Sequence, residues 1–195
     1  MREQLLHAAQ VLVQDRGLDA VSFQDLADAV GLKKPSVFHH FRNKDELAQA
    51  LMTHCHTAYG ARYGEVLQRE DLNEPEKLRA IARIFDEGLR TDHLCLLSSL
   101  SQNCNRYSDN LKQEIHETVS VIVARYAPVF EAGRRNGTLD FKGTAEQAGA
   151  AFLAMLQGLQ VLTRANGDVE SFLPTASSYI DSISMKPKAE GWDKT

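Results

Sequence analysis

Long apolar runs are missing from this chain. No uninterrupted hydrophobic stretch approaches the ~20 residues that cross a bilayer, so no membrane partner is expected. The first residues, Met-Arg-Glu-Gln, pass straight into an amphipathic pattern, so no secretory signal is expected either. Cysteine is scarce. Cys55, Cys95 and Cys104 are odd in number and lack the paired spacing of a disulfide or zinc framework, which points to a reducing, cytoplasmic setting. Five prolines and 12 glycines in 195 residues are few for a β-rich protein, and no segment alternates as a convincing strand. There is no phosphate loop, dinucleotide glycine fingerprint, nucleophile elbow or zinc-binding helix, so neither an enzyme nor a cofactor is expected. His54, Cys55 and His56 are contiguous, and neighbours on a helix point apart, so they do not form a metal site. His116 and Glu117 have no visible ligand partner.

What the chain does have is helical periodicity throughout. Hydrophobic residues make up 43%, enough for a packed core, and the expected fold class is all-α. Residues 2–16 form a first helix with Leu5, Ala8, Ala9, Leu12 and Val13 on one face and Gly17 at its end. A helix from Lys44 toward Arg69 follows the second and third. Glu76–Arg90, a short apolar segment within Asp92–Cys104, Asp109–Asn136, Thr144–Ala165 and Val169–Ser184 complete the series. The expected organisation is a short helical head over 1–46, a larger helical body over 47–185, and a loose tail over 186–195.

The most informative stretch is Ser22–Lys44, SFQDLADAVGLKKPSVFHHFRNK. Ser22 and Asp25 are spaced as a capping box. Phe23, Leu26, Ala27 and Val30 recur at helical spacing, Gly31 supplies a left-handed turn with Leu32 behind it, and Pro35 suits the first turn of a second helix. Val37, Phe38 and Phe41 give that helix a buried side. Two short helices joined this way make a helix-turn-helix, which lays its second helix in the DNA major groove.

Charge supports this reading. Lys33 and Lys34 occupy the positive end of the second helix, and Asn43 with Glu46 caps the next helix so that Lys44 repeats the anomaly. A cation at a helix start is tolerable when phosphate arrives there. Between Gly31 and Lys44 the charges are Lys33, Lys34, Arg42 and Lys44, with no acid. The whole chain is at −4, and setting these four aside leaves about −8. A local basic patch on an otherwise acidic molecule favours groove binding over indiscriminate adhesion.

The order helix, helix-turn-helix, linker helix and helical body resembles the TetR family of bacterial transcriptional regulators. The segment Val30–Leu51, VGLKKPSVFHHFRNKDELAQAL, carries the resemblance nearly position by position. It implies a homodimeric repressor of double-stranded, palindromic operator DNA, released by a small molecule bound in the C-terminal body. It places Lys34, Pro35, Ser36 and Phe38 at base edges, His39 and Lys44 at phosphates, and Ser22 at a helix start near the backbone; Lys33, at the positive end of the second helix, joins them as a DNA-contact candidate. Phe38 stands where the family usually has Tyr, and Lys33 where a capping Ser or Thr is common.

The last two helices, about 144–184, are the expected dimer interface. Gly149, Ala150, Ala151, Ala154 and Gly158 form a small-residue stripe flanked by Phe152, Met155 and Leu159, and the partner helix offers Phe172, Ala176, Tyr179, Ile180 and Ile183. Tyr59, Tyr63, Phe85, His93, Cys95, Tyr126 and Met155 either line an effector cavity or simply pack the core. The run CLLSSL from Cys95 resembles a segment of electrophile- and acrylate-responsive members of the family, which makes Cys95 a candidate sensing thiol, with Cys104 second. The alternative is a helical small-molecule-binding protein, or an enzyme, with a non-functional helix-turn-helix.

Overall fold

A computed structural model describes residues 1–91 and 94–185, with the side chains of Ala58 and Tyr59 excepted. The architecture is all-α, in nine α-helices among the described residues. They are α1 (Arg2–Arg16), α2 (Phe23–Ala29), α3 (Lys34–His40), α4 (Lys44–Gln68), α5 (Glu74–Arg90), α6 (Leu96–Ser101), α7 (Asp109–Asn136), α8 (Ala145–Asn166) and α9 (Phe172–Ile183). Single 3-10 turns stand at Leu18–Ala20, Cys104–Arg106 and Val169–Ser171. His93 and the tail 186–195, to which expectations attach, lie outside the described residues, as does the Tyr59 side chain.

The chain forms two compact units, each discontinuous in sequence. The first holds Met1–Glu65 and Phe85–Val121, the second Val66–Ile84 and Ile122 onward. In the first unit, Leu5, Ala9 and Val13 of α1 are fully buried with Leu26 and Ala27 of α2, Val37 and Phe41 at α3, and Ala48 and Leu51 of α4. Leu18 and Val21 fold onto the same core, each at 1% exposure. A short three-helix head buries too little surface to be stable by itself, and later segments of its unit are tied on by polar links from α1 and α4. Gln14 Nε2 donates to the Leu94 carbonyl (2.6 Å), and Gln49 Nε2 donates to Glu114 (2.7 Å).

The second unit is centred on aromatic side chains. Phe152 of α8 meets Tyr126 edge-on at 5.7 Å and Phe130 at 6.1 Å, and Phe130 meets Phe141 at 5.3 Å. Arg134 covers Phe141 at 4.0 Å and donates to the carbonyls of Phe141 and Gly143. Thr144 and Gln147 form the capping box that starts α8, and Gly167 ends it in the left-handed conformation. Glu74 accepts from Asn136 and Thr138, and Arg79 pairs with Asp181.

Candidate nucleic-acid interface

The helix-turn-helix is built as its residue types require. Asp25 N–H donates to Ser22 Oγ (3.1 Å), while Ser22 N–H and its hydroxyl both donate to the Asp25 carboxylate (2.7 and 2.6 Å). The Ser22 side-chain hydrogen bond, more than any other influence, holds the Asp25 carboxyl below the usual carboxylate range. Ser22 has thus already given its one hydroxyl proton to its own helix. Gly31 turns the chain at φ 69°, and Leu32 N–H closes the end of α2 on the Ala27 carbonyl (2.8 Å).

In α3 one side is sealed and the rest is open. Val37 and Phe41 are completely buried, whereas Lys33, Lys34, Pro35, Ser36, Phe38 and His39 are all exposed. Burial of Phe38 was expected and is not found. Its ring is 46% exposed, standing edge-on against Phe23 at 4.8 Å, with Lys34 Nζ 5.9 Å from its centre. The reason is angular: Val37 and Phe41 lie four residues apart on one face, and Phe38 is a step of about 100° away from Val37. Lys33 occupies the N-cap of α3 without any side-chain cap hydrogen bond.

At the start of α4 the box is shifted by one residue. Asn43 Oδ1 accepts from Glu46 N–H (2.8 Å), but the Glu46 carboxylate reaches Arg42 N–H (2.8 Å). Lys44 turns its ammonium onto the main-chain carbonyl of Asp19 at 2.6 Å. That leaves two of its three donors uncommitted. Asp19 in turn accepts Arg106 Nη1 on its carboxylate (3.1 Å). No sequence signal marked either contact, because the partners are 25 and 87 positions apart.

The residues expected to line an effector site divide between the two units. In the first, Tyr63 packs on Phe85 at 6.0 Å, and half-buried Cys95 is the N-cap of α6. Cys55 lies near enough to Cys95 to feel its charge, and burial above all pushes the Cys55 thiol up to about 12. In the second unit Tyr126 is core, at 2% exposure, and Met155 is half-buried on α8. A cleft of about 730 Å³ opens in the first unit between α1, the end of α2 and α4, with Glu3, His7, Val30 and His54 on its walls. None of the expected effector residues lines it. Among the described residues no group of three or more His, Cys, Asp or Glu could hold a metal ion, and no helix is long and apolar enough to cross a membrane.

The exposed face of α3 falls within residues 5–51, the part of the chain that matches the family model for bacterial regulatory proteins of the tetR family. This head is a TetR-family domain. Its relatives include the HTH-type transcriptional repressor NemR of Escherichia coli K12, 24% identical over 191 residues, 95% of this chain and 94% of NemR. The repressor KstR2 of Mycolicibacterium smegmatis is 32% identical over 66 residues, 34% of this chain and 32% of KstR2. Among solved structures, a TetR-family regulator from Agrobacterium tumefaciens superposes with a TM-score of 0.88 at 23% identity, covering 94% and 97% of the two chains. The reduced form of E. coli NemR gives 0.80 at 24% identity, covering 96% and 99%. The chain is a DNA-binding transcriptional regulator rather than an enzyme.

Proposed function

We propose that this regulator is a cytoplasmic homodimeric repressor that reads a two-fold symmetric operator with the exposed face of α3. The observation that carries the reading is that face itself. Val37 and Phe41 anchor a helix whose remaining side chains, from Lys33 to His39, are offered to solvent with no acid among them. Lys34 and Ser36 supply donors for base edges, and Pro35 and Phe38 supply apolar contact for thymine methyls. Lys33, His39 and Lys44 supply positioning contacts to phosphate, with Ser22 at the neighbouring helix start.

Two-fold pairing places two such helices about one turn of DNA apart, and the surface suited to pairing is on α8 and α9. Ala150, Ala151, Ala154 and Gly158 are exposed along α8 and continue into Val161 and Leu162, the latter 60% exposed. The head over 1–46 then reads DNA, and residues 47–185 pair and receive the effector. Release is by a small molecule or a thiol-reactive signal, with Tyr63, Phe85 and Cys95 as the receiving side chains of the first unit. The repressor NemR has been crystallised in a reduced form, which supports a thiol chemistry for its relative.

The test is binding of the purified protein to the DNA flanking its own gene, followed by challenge with metabolites and oxidants. Saturable binding that a challenge abolishes supports the reading. Failure to prefer that DNA over a random duplex supports instead a helical ligand carrier with a silent helix-turn-helix.

A further inference from the structure

The basic residues singled out in the sequence flank the reading helix, Lys33 and Lys34 at its start and Arg42 and Lys44 beyond its end. At the far end the structure adds Arg2, which lies against the residue immediately before Arg42 although 40 positions separate the two arginines in sequence. The Arg2 guanidinium lies 5.4 Å from the centre of the Phe41 ring, and Phe41, fully buried, is the residue that ends α3. Arg42 follows immediately, exposed, its backbone fixed by the Glu46 carboxylate on its N–H. Among the described residues neither guanidinium is in an ion pair, whereas Arg16, Arg62, Arg69, Arg79, Arg90 and Arg106 all hold a carboxylate. An arginine kept on an aromatic ring, with its donors unspent, is suited to a phosphate.

We propose that Arg2 and Arg42 form a second phosphate clamp, facing the backbone wall opposite the one met by Lys33 and Lys34. The spacing fits. The seven residues of α3 span roughly 10 Å at 1.5 Å per residue, comparable with the ~12 Å width of the major groove. Cations at both ends of the helix therefore reach both walls while its middle faces the base edges. The inference rests on the DNA-reading role proposed above. It adds Arg2, to which neither the turn grammar nor the resemblance pointed because it belongs to the first helix, and it gives Arg42 of the basic patch a phosphate of its own.

Fluorescence anisotropy of the full chain on a labelled duplex from the flank of its own gene, titrated from about 50 to about 200 mM salt, tests this. Removing one cation from a phosphate flattens the plot of log affinity against log salt by about 0.9 per head bound. Arg2→Met, which keeps packing over Phe41, and Arg42→Gln are each expected to show that flattening and to weaken all base sequences alike. Arg42→Lys restores the slope. Arg135→Gln, an equal charge change on exposed α7, leaves it unaltered. Tight wild-type binding with an unchanged slope in both variants overturns the clamp and leaves the reading of α3 standing. A lower melting temperature with an unchanged slope shows that Arg2 only packs, and overturns it too. Wild-type protein that binds no DNA removes the clamp together with the repressor reading.

Discussion

Phe38 meets Phe23 edge to face at 4.8 Å, one ring nearly half exposed and the other buried. The pair joins the two helices of the turn, but the rings do different work. Phe23 sits in the core, and truncating such a phenylalanine costs about 3–5 kcal/mol. Phe38 leaves the core and turns its ring to solvent on the face proposed to read base edges. Phe38→Ala is expected to lower stability by no more than the ~0.5–1.5 kcal/mol of an aromatic pair. The same change is expected to relax discrimination at the base it touches, by less than the ~1–3 kcal/mol of a bidentate hydrogen-bonded pair, because the contact is apolar. Urea denaturation beside a selection of bound sequences checks both halves. Equal loss of stability in Phe23→Ala and Phe38→Ala contradicts the assignment.

Lys44 is committed to its own protein through the Asp19 carbonyl. A hydrogen bond from a charged ammonium to a part-buried carbonyl contributes about 1.5–3 kcal/mol net. Lys44→Ala is therefore expected to reduce stability by about that amount and to weaken DNA binding uniformly, since phosphate contacts carry no sequence information. The measurement pairs chemical denaturation with affinities for two unrelated duplexes. A drop on one duplex alone would assign Lys44 to base reading.

Much of this fold is legible in the sequence because local chemistry sets its helix ends. The Ser22–Asp25 pair and Gly31 are short-range devices, and each forms as its spacing implies. What escapes is the direction in which side chains of one helix face. Val37, Phe38 and Phe41 look alike as apolar residues, and only packing separates the exposed ring from its buried neighbours. The α8 stripe fails for the same reason. Gly149 and Phe152 are buried within the chain, while Ala150, Ala151, Ala154 and Gly158 are exposed, so an apparent single face is two. Phe172, Ala176 and Ile180 of α9 likewise belong to the core of their own unit. Contacts such as Lys44–Asp19 and Arg2–Phe41 are set by tertiary packing and have no local signature.

The two faces of α8 respond oppositely to substitution. A Cβ at Gly149 would stand 3.0 Å from the Tyr126 Cβ and 3.3 Å from the Val123 carbonyl oxygen of α7. Gly149→Leu overpacks that crossing, which typically costs about 1–3 kcal/mol. Ala154 faces solvent, and Ala154→Arg places a charge on the proposed pairing surface while leaving the subunit core intact. Light scattering is expected to show half the wild-type mass for Ala154→Arg with unchanged helical circular dichroism. Gly149→Leu lowers the melting temperature. An Ala154→Arg protein of full mass moves the dimer interface elsewhere.

Cys55 is the thiol least able to act as a sensor. Burial raises it to about 12, with Cys95 adding a smaller push in the same direction. At pH 8 its thiolate fraction is then only about one in ten thousand, and the thiolate is the reacting form. Alkylation of Cys55 is expected to be roughly a thousandfold slower in the native protein than in urea, where its value returns to near 9. The stability consequence has a definite sign. A group whose folded value is raised contributes stability below its unfolded value and loses it as pH rises through the folded one. The window for Cys55 is therefore about 9 to about 12. Tyr107, also raised to about 12 chiefly by burial, titrates over part of the same range. Cys55→Ala is accordingly expected to reduce, without abolishing, the loss of stability between about pH 9 and about pH 12. Mass-spectrometric alkylation rates and denaturation midpoints across that window are the measurements. Rapid native labelling of Cys55 at pH 8 would place it on the surface and return it to the sensing candidates beside Cys95 and Cys104.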